Sequence, residues 1–145
     1  MDTSLGVEKS IIINASKGKI WKALTDPELI KQYLFGTEAI SEWQVGSEII
    51  FQGEWKGQPY KDKGHILDMQ PECIFSYDYW SAFSGMPDLP ENYSIITYAV
   101  IDEDEGVRLS VRQQGFANEE SRQHSDKGWE EVLEKVKEIA DNLPN

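Results

Sequence analysis

One cysteine, two histidines and no apolar run long enough to span a bilayer leave this 145-residue chain poor in the groups that usually carry covalent or metal chemistry. Cys73 has no partner for an intramolecular disulfide, so a reducing, cytoplasmic setting is expected. It opens an apolar run, where a small buried hydrophobe belongs. The first residues, MDTSLGVEKS, lack a basic region followed by an apolar stretch, the pattern of a secretory leader. His65 and His124 fall in different elements without a Cys or carboxylate at metal-ligand spacing, so neither a metal nor another cofactor is expected. Phosphate-loop glycines, a Gly-x-Ser-x-Gly elbow and a Cys–His pair are all missing, and no catalytic residue is assigned.

Basic residues are also scarce. Fourteen Lys and Arg against 26 Asp and Glu give a net charge of −12, which repels nucleic acid and anionic headgroups. The densest cation cluster, Lys56 to Lys63, is broken by Gly57, Pro59 and Asp62 and has the character of a solvated hairpin. Glu130-Glu131 and Glu103 to Glu105 are expected to face water, as are Glu54 and Asp78, which alternate with aromatic positions. Binding to nucleic acid and insertion into a membrane are therefore not expected.

What is present is a core-forming composition. Apolar residues make up 39% of the chain, with five Trp, six Tyr and five Phe, and the length suits a single domain over residues 1–145. The segment SIIINASKGKIWKALTDPELIKQYL, Ser10 to Leu34, writes a β-branched strand followed by two short helices. Ser16 is positioned to cap the first, and Asp26 with Pro27 at the first helical position starts the second. Glu48 to Lys56 alternates, with Ile49, Phe51, Gly53 and Trp55 sharing a face. Tyr60 to Gln70 returns with a less regular pattern that suggests a bulge, and Cys73 to Trp80 carries Phe75, Tyr77 and Tyr79 on one side.

Tyr93 to Ile101 and Val107 to Phe116 form two further strands around the turn Asp102 to Gly106. Gln113 is the one polar member of the face made by Val107, Leu109 and Val111. From Asn118 the period changes to 3.6. Trp129, Val132, Leu133, Val136, Ile139, Ala140 and Leu143 make the stripe of a long helix that Pro144 stops. Gly128 within it costs about 1 kcal/mol relative to alanine, and close approach to the sheet is the expected reason.

A cavity between sheet and helix is the candidate site. Phe51, Trp55, Phe75, Tyr77, Tyr79, Tyr98 and Trp129 are expected around it, with Leu109, Val111 and Leu133 as apolar wall. The Gln113 amide points inward, bonded to a Tyr hydroxyl, a water or a ligand. The loop Ser81 to Asn92, bearing Phe83 and Met86, is the expected roof. Alternatively, these aromatics simply close the core. Gly53 and Gly64 mark bends or room for a neighbour.

The order strand, two short helices, antiparallel meander and long terminal helix is similar to the α+β helix-grip fold, a curved sheet of six or seven strands around the last helix. NASKGKIWKALTDPELIKQYL resembles the opening of the START-like (SRPBCC) branch related to the activator of the ninety-kilodalton heat-shock chaperone's ATPase. Gly64-His65-Ile66-Leu67-Asp68 through Pro71, Phe75-Ser76-Tyr77, Arg108-Leu109-Ser110-Val111, Gly115-Phe116 and Lys127-Gly128-Trp129 continue the resemblance in order. Relatives on this scaffold include lipid carriers, ligand sensors, polyketide cyclases and chaperone cofactors. In many of them a histidine stands at the position of Gln113, and an amide cannot titrate in its place.

The leading expectation is binding of an apolar or aromatic small molecule, lipid-like or polyketide-like, without chemistry. A chaperone-associated stress protein is the alternative. A third, cyclase-type reading has Tyr77, Tyr98 or Gln113 holding the substrate. The oligomeric state is not legible in the sequence.

Overall fold

The computed structural model describes residues 1–144, arranged as seven antiparallel strands, three α-helices and one short 3-10 turn at Pro90–Asn92. Strand β1 (Asp2–Ile13) leads into α1 (Lys17–Thr25) and α2 (Pro27–Tyr33). Next come β2 (Glu38–Ser41), β3 (Glu48–Trp55), β4 (Gln58–Gln70), β5 (Ile74–Tyr79), β6 (Ser94–Glu103) and β7 (Gly106–Phe116). Helix α3 (Glu119–Asn142) closes the chain. The strand order β1-β7-β6-β5-β4-β3-β2 makes one open sheet, in which only β1 leaves the meander to pair with β7. This is the helix-grip arrangement.

Local chemistry sets the helix starts. The Ser16 side chain accepts from the Lys19 N–H (3.2 Å), Asp26 from Glu28 (3.0 Å) and Asn118 from Ser121 (2.9 Å). Lys56 and Gly57 both have positive φ, the backbone of the tight hairpin that joins β3 to β4. Ile13, Ile20, Leu24, Ile49, Leu109, Val111 and Val136 are fully buried in one continuous core between sheet and helices.

Two strands exceed or escape the sequence pattern. β1 begins at Asp2, well before the β-branched run, although Thr3, Ser4, Glu8 and Lys9 have no strand-like alternation of their own. Its backbone is ordered by pairing along β7, from Val7 opposite Gln113 to Ile13 opposite Val107. β2 has one buried residue, Ala39, and exists as an edge laid on β3.

Four side chains depart from expectation. Cys73 is exposed, because β5 starts one residue later and Cys73 belongs to the turn in which Glu72 has φ 61°. Trp55 is 59% exposed: alternation assigns it to the face of Phe51, but β3 ends there, and the Lys56 ammonium lies over its ring, 5.3 Å from the centroid. Asp78 is half-buried and accepts from the His65 backbone N–H (2.6 Å), with His65 Nδ1 at 3.1 Å. His65 thus has a carboxylate neighbour that linear spacing could not show. Asp62 is buried, not solvated, because it alternates inward with Gly64 and Ile66 along β4.

Gly64 is where two strands nearly touch. A Cβ there would lie 1.7 Å from the Asp78 carbonyl oxygen, beside the irregular register between Ile66 and Asp68. Any side chain must push backbone against backbone. Gly64→Ala should destabilise the protein by at least about 2 kcal/mol, measured as a lowered urea midpoint at unchanged slope.

Candidate functional site

Helix α3 begins at Glu119, yet its first buried residue is Trp129. The stretch from Glu119 to Gly128 therefore crosses the sheet without sealing against it, and two adjoining cavities lie beneath. The first has a volume of about 420 Å³. Phe51, Tyr77, Tyr79 and Ile96 line it from the sheet, Leu34, Phe35 and Thr37 from the segment after α2, and Gly128, Trp129 and Val132 from α3. The second, about 790 Å³, lies toward the start of α3 and the loop after β5, where Phe83 and Met86 border it. Tyr79, Gln113, His124 and Ser125 belong to both walls.

Gln113 is the polar pivot of the site. Its Oε1 accepts from the Trp129 indole N–H (2.8 Å), and its Nε2 donates to Ser94 Oγ (3.1 Å). Both ends of a buried amide are thus engaged by the protein itself. The side chain points inward as expected, but its partners are an indole and a serine. The Trp129 ring also meets Tyr98 edge-on, with centroids 5.9 Å apart and planes at 84°.

The second polar feature is Asp62, 7% exposed and opposite Phe51 in the β3–β4 register. One carboxylate oxygen accepts from the Tyr79 hydroxyl (2.6 Å) and the other from the Ala82 N–H (2.7 Å). Burial raises the Tyr79 phenol well above its ordinary pKa, and the adjacent Asp62 charge raises it further. Burial alone is the main cause of the upward shifts at Tyr77 and Tyr98. These phenols stay protonated at neutral pH and act as donors or as apolar surface.

Of the residues expected at the site, Phe51, Tyr77, Tyr79, Gln113 and Trp129 line the first cavity. Phe83 and Met86 line the second. Phe75, Tyr98, Leu109, Val111 and Leu133 are core residues behind the wall, and Trp55 is at the distant hairpin tip. Phe75 stacks on Tyr98 at 6.0 Å, closing the floor with aromatic rings, so the cavity and filled-core alternatives each describe part of the set. The expected roof is also displaced: α3 bounds the first cavity through His124, Ser125 and Gly128, while the loop after β5 flanks the second. Nothing but open space meets a Cβ built on Gly128, so this glycine makes room for the cavity, not for the sheet.

Asp62, Thr37, His124 and Gly128 were not singled out as site residues by sequence reasoning. Counting back by twos from Ile66 would have turned Asp62 inward. The mismatch between the start of α3 and the start of its apolar stripe would have marked His124 and Gly128 as cavity-facing.

The sequence model of the family described as Activator of Hsp90 ATPase homolog 1-like protein matches residues 14–141. The chain belongs to this family. No curated protein matches it in sequence. Among solved structures, ChR145 from Cytophaga hutchinsonii is similar at 39% identity and a TM-score of 0.82, over 98% of this chain and 97% of the other. The fold is shared with one protomer of the Aha1 dimer from Colwellia psychrerythraea at 16% identity, TM-score 0.74, 94% and 96% covered. It is shared too with DynU16, a protein of the dynemicin biosynthetic locus, at 12% identity and TM-score 0.78, over 95% of this chain but 48% of that one. In this member of the Activator of Hsp90 ATPase homolog 1-like family, the amide at position 113 is committed to holding Trp129.

Two substitutions test that commitment. Gln113→Leu leaves the buried Trp129 indole N–H without its acceptor, while Ser94 keeps its bond to the Tyr79 carbonyl, and should cost about 1 to 3 kcal/mol in chemical denaturation. Trp129→Ala removes the ring as well, and about 3 to 5 kcal/mol is expected from the same measurement.

Proposed function

We propose that the protein binds an apolar or aromatic small molecule, lipid-like or polyketide-like, in the cavity between the sheet and α3. The observation that carries this reading is the 420 Å³ space itself, within the roughly 300 to 1,000 Å³ usual for ligand pockets. Aromatic side chains from two strands and helix α3 line it, and Gly128 leaves it open at a position where an α-helix favours every residue but proline over glycine. The fold relative from the dynemicin locus is consistent with a polyketide-like guest. A cytoplasmic setting belongs to the same proposal. Among the described residues no helix is long and apolar enough to cross a membrane.

Extraction of lipids and metabolites from the purified protein, followed by thermal-shift titration of whatever co-purifies, tests the reading. An empty extract with no shift by any apolar compound would count decisively against it.

A second reading, association with a chaperone, is favoured by the family relationship and by Phe35, which is 66% exposed at the cavity mouth. Its test is recovery of a chaperone in a pull-down with a change in that partner's ATPase rate. A cyclase-type enzyme has less support, since Gln113 is occupied at both ends and Tyr77 and Tyr98 are held protonated.

Gly128 separates cavity from stability. Gly128→Ala should stabilise by about 0.5 to 1 kcal/mol through helix propensity alone. Gly128→Leu should fold equally well yet fill the space, lowering affinity for any co-purified ligand by at least about tenfold in calorimetric titration.

A further inference from the structure

Resting on the ligand-binding reading above, we infer that the cavity takes a guest whose apolar body carries a cationic nitrogen group, with the Asp62 carboxylate as its counter-charge. Asp62 lies on the cavity wall, 7% exposed, and both of its hydrogen bonds come from neutral donors, the Tyr79 hydroxyl and the Ala82 N–H. Neither donor neutralises its charge. Strand alternation sends the flanking Lys61 and Lys63 to the opposite face of β4, where Lys63 pairs with Asp88 at 2.5 Å. Among the described residues no Lys or Arg lines the first cavity; its wall also carries the Glu131 carboxylate, of the same sign, and the His124 imidazole.

A structural role alone leaves that charge unexplained. The Ala82 N–H and the Tyr79 hydroxyl sit on separate oxygens of Asp62, and a neutral asparagine amide could hold the same two groups, its oxygen accepting from the Ala82 N–H and its nitrogen donating to the Tyr79 phenol oxygen. A carboxylate in an apolar wall carries a desolvation cost that a neutral acceptor avoids, unless a cation compensates it. An ammonium group entering from the cavity supplies that compensation, and the rings of Phe51, Tyr77 and Tyr79 around it offer faces that attract cations. Free fatty acids and other anionic amphiphiles would meet two carboxylates and no Lys or Arg, and are disfavoured. The net charge of −12 acts in the same direction during encounter.

The test compares three compounds of one shape in calorimetric titrations: 1-naphthylmethylammonium, neutral 1-naphthylmethanol and anionic 1-naphthoate. The unmodified protein should bind the ammonium at least about tenfold more tightly than the alcohol, about 1.4 kcal/mol, and the carboxylate most weakly. Asp62→Asn keeps the side-chain volume and should erase the preference for the ammonium, bringing the ratio of ammonium to alcohol affinity to within about twofold of one. Equal binding of ammonium and alcohol by the unmodified protein would overturn the cationic assignment and leave the cavity reading standing. Binding of none of the three would overturn both. The ratio in the unmodified protein needs no variant, so poor folding of Asp62→Asn would not rescue the inference from a ratio near one.

Discussion

One buried amide decides where the last helix meets the sheet. Trp129 is the first residue of α3 to be buried, and its indole N–H must find an acceptor in an interface otherwise made of Val, Leu, Ile and aromatic rings. Gln113 is that acceptor, and its own N–H finds Ser94 on the neighbouring strand. In a low-dielectric interior each of these groups is costly to leave unpaired, so the helix can neither slide nor rotate without breaking the set. Fixing α3 at this point leaves Glu119 to Gly128 projecting over the sheet without an apolar face to draw it down. The cavity follows from that geometry.

The same residue type serves opposite ends at two places. Gly64 is bare because another backbone occupies the space of its Cβ, and Gly128 is bare while its surroundings are empty. Only the first is required by the fold. The second leaves a helix weaker than it needs to be, next to a cavity, so the glycine in Lys127-Gly128-Trp129 has no packing reason to be bare.

Elements whose burial is periodic were legible in the sequence. The stripe from Trp129 to Ala140, the aromatic face of β5 and the inward turn of Gln113 are all as the pattern requires, because each depends on local period and on one apolar partner surface. The first part of β1 and all of β2 were not, because their side chains carry no pattern and their order comes from hydrogen bonds to strands distant in sequence. Trp55 shows a different limit: alternation gives the face of a side chain but not whether anything covers that face at the end of a hairpin. Asp62 was missed because a charge among lysines resembles solvent-facing hairpin, whereas its period relative to Ile66 points inward.

The loop after β5 shows how the site is held rather than merely enclosed. The Ala82 N–H is fixed to Asp62, the Trp80 indole donates to the Met86 carbonyl at 3.1 Å, and Asn92 donates to the Pro87 carbonyl at 2.9 Å. Asp88 accepts from Tyr93, the residue before β6, and pairs with Lys63, so the loop is closed on itself and braced to β4. Phe83 rests on Tyr60, with ring centroids 5.6 Å apart. A segment tied at so many points is a preformed wall, and a guest does not have to order it on binding. The tie that joins this wall to the first cavity is Asp62 itself. A ligand of the proposed kind that engaged its carboxylate would therefore act on the loop and on Tyr79 together.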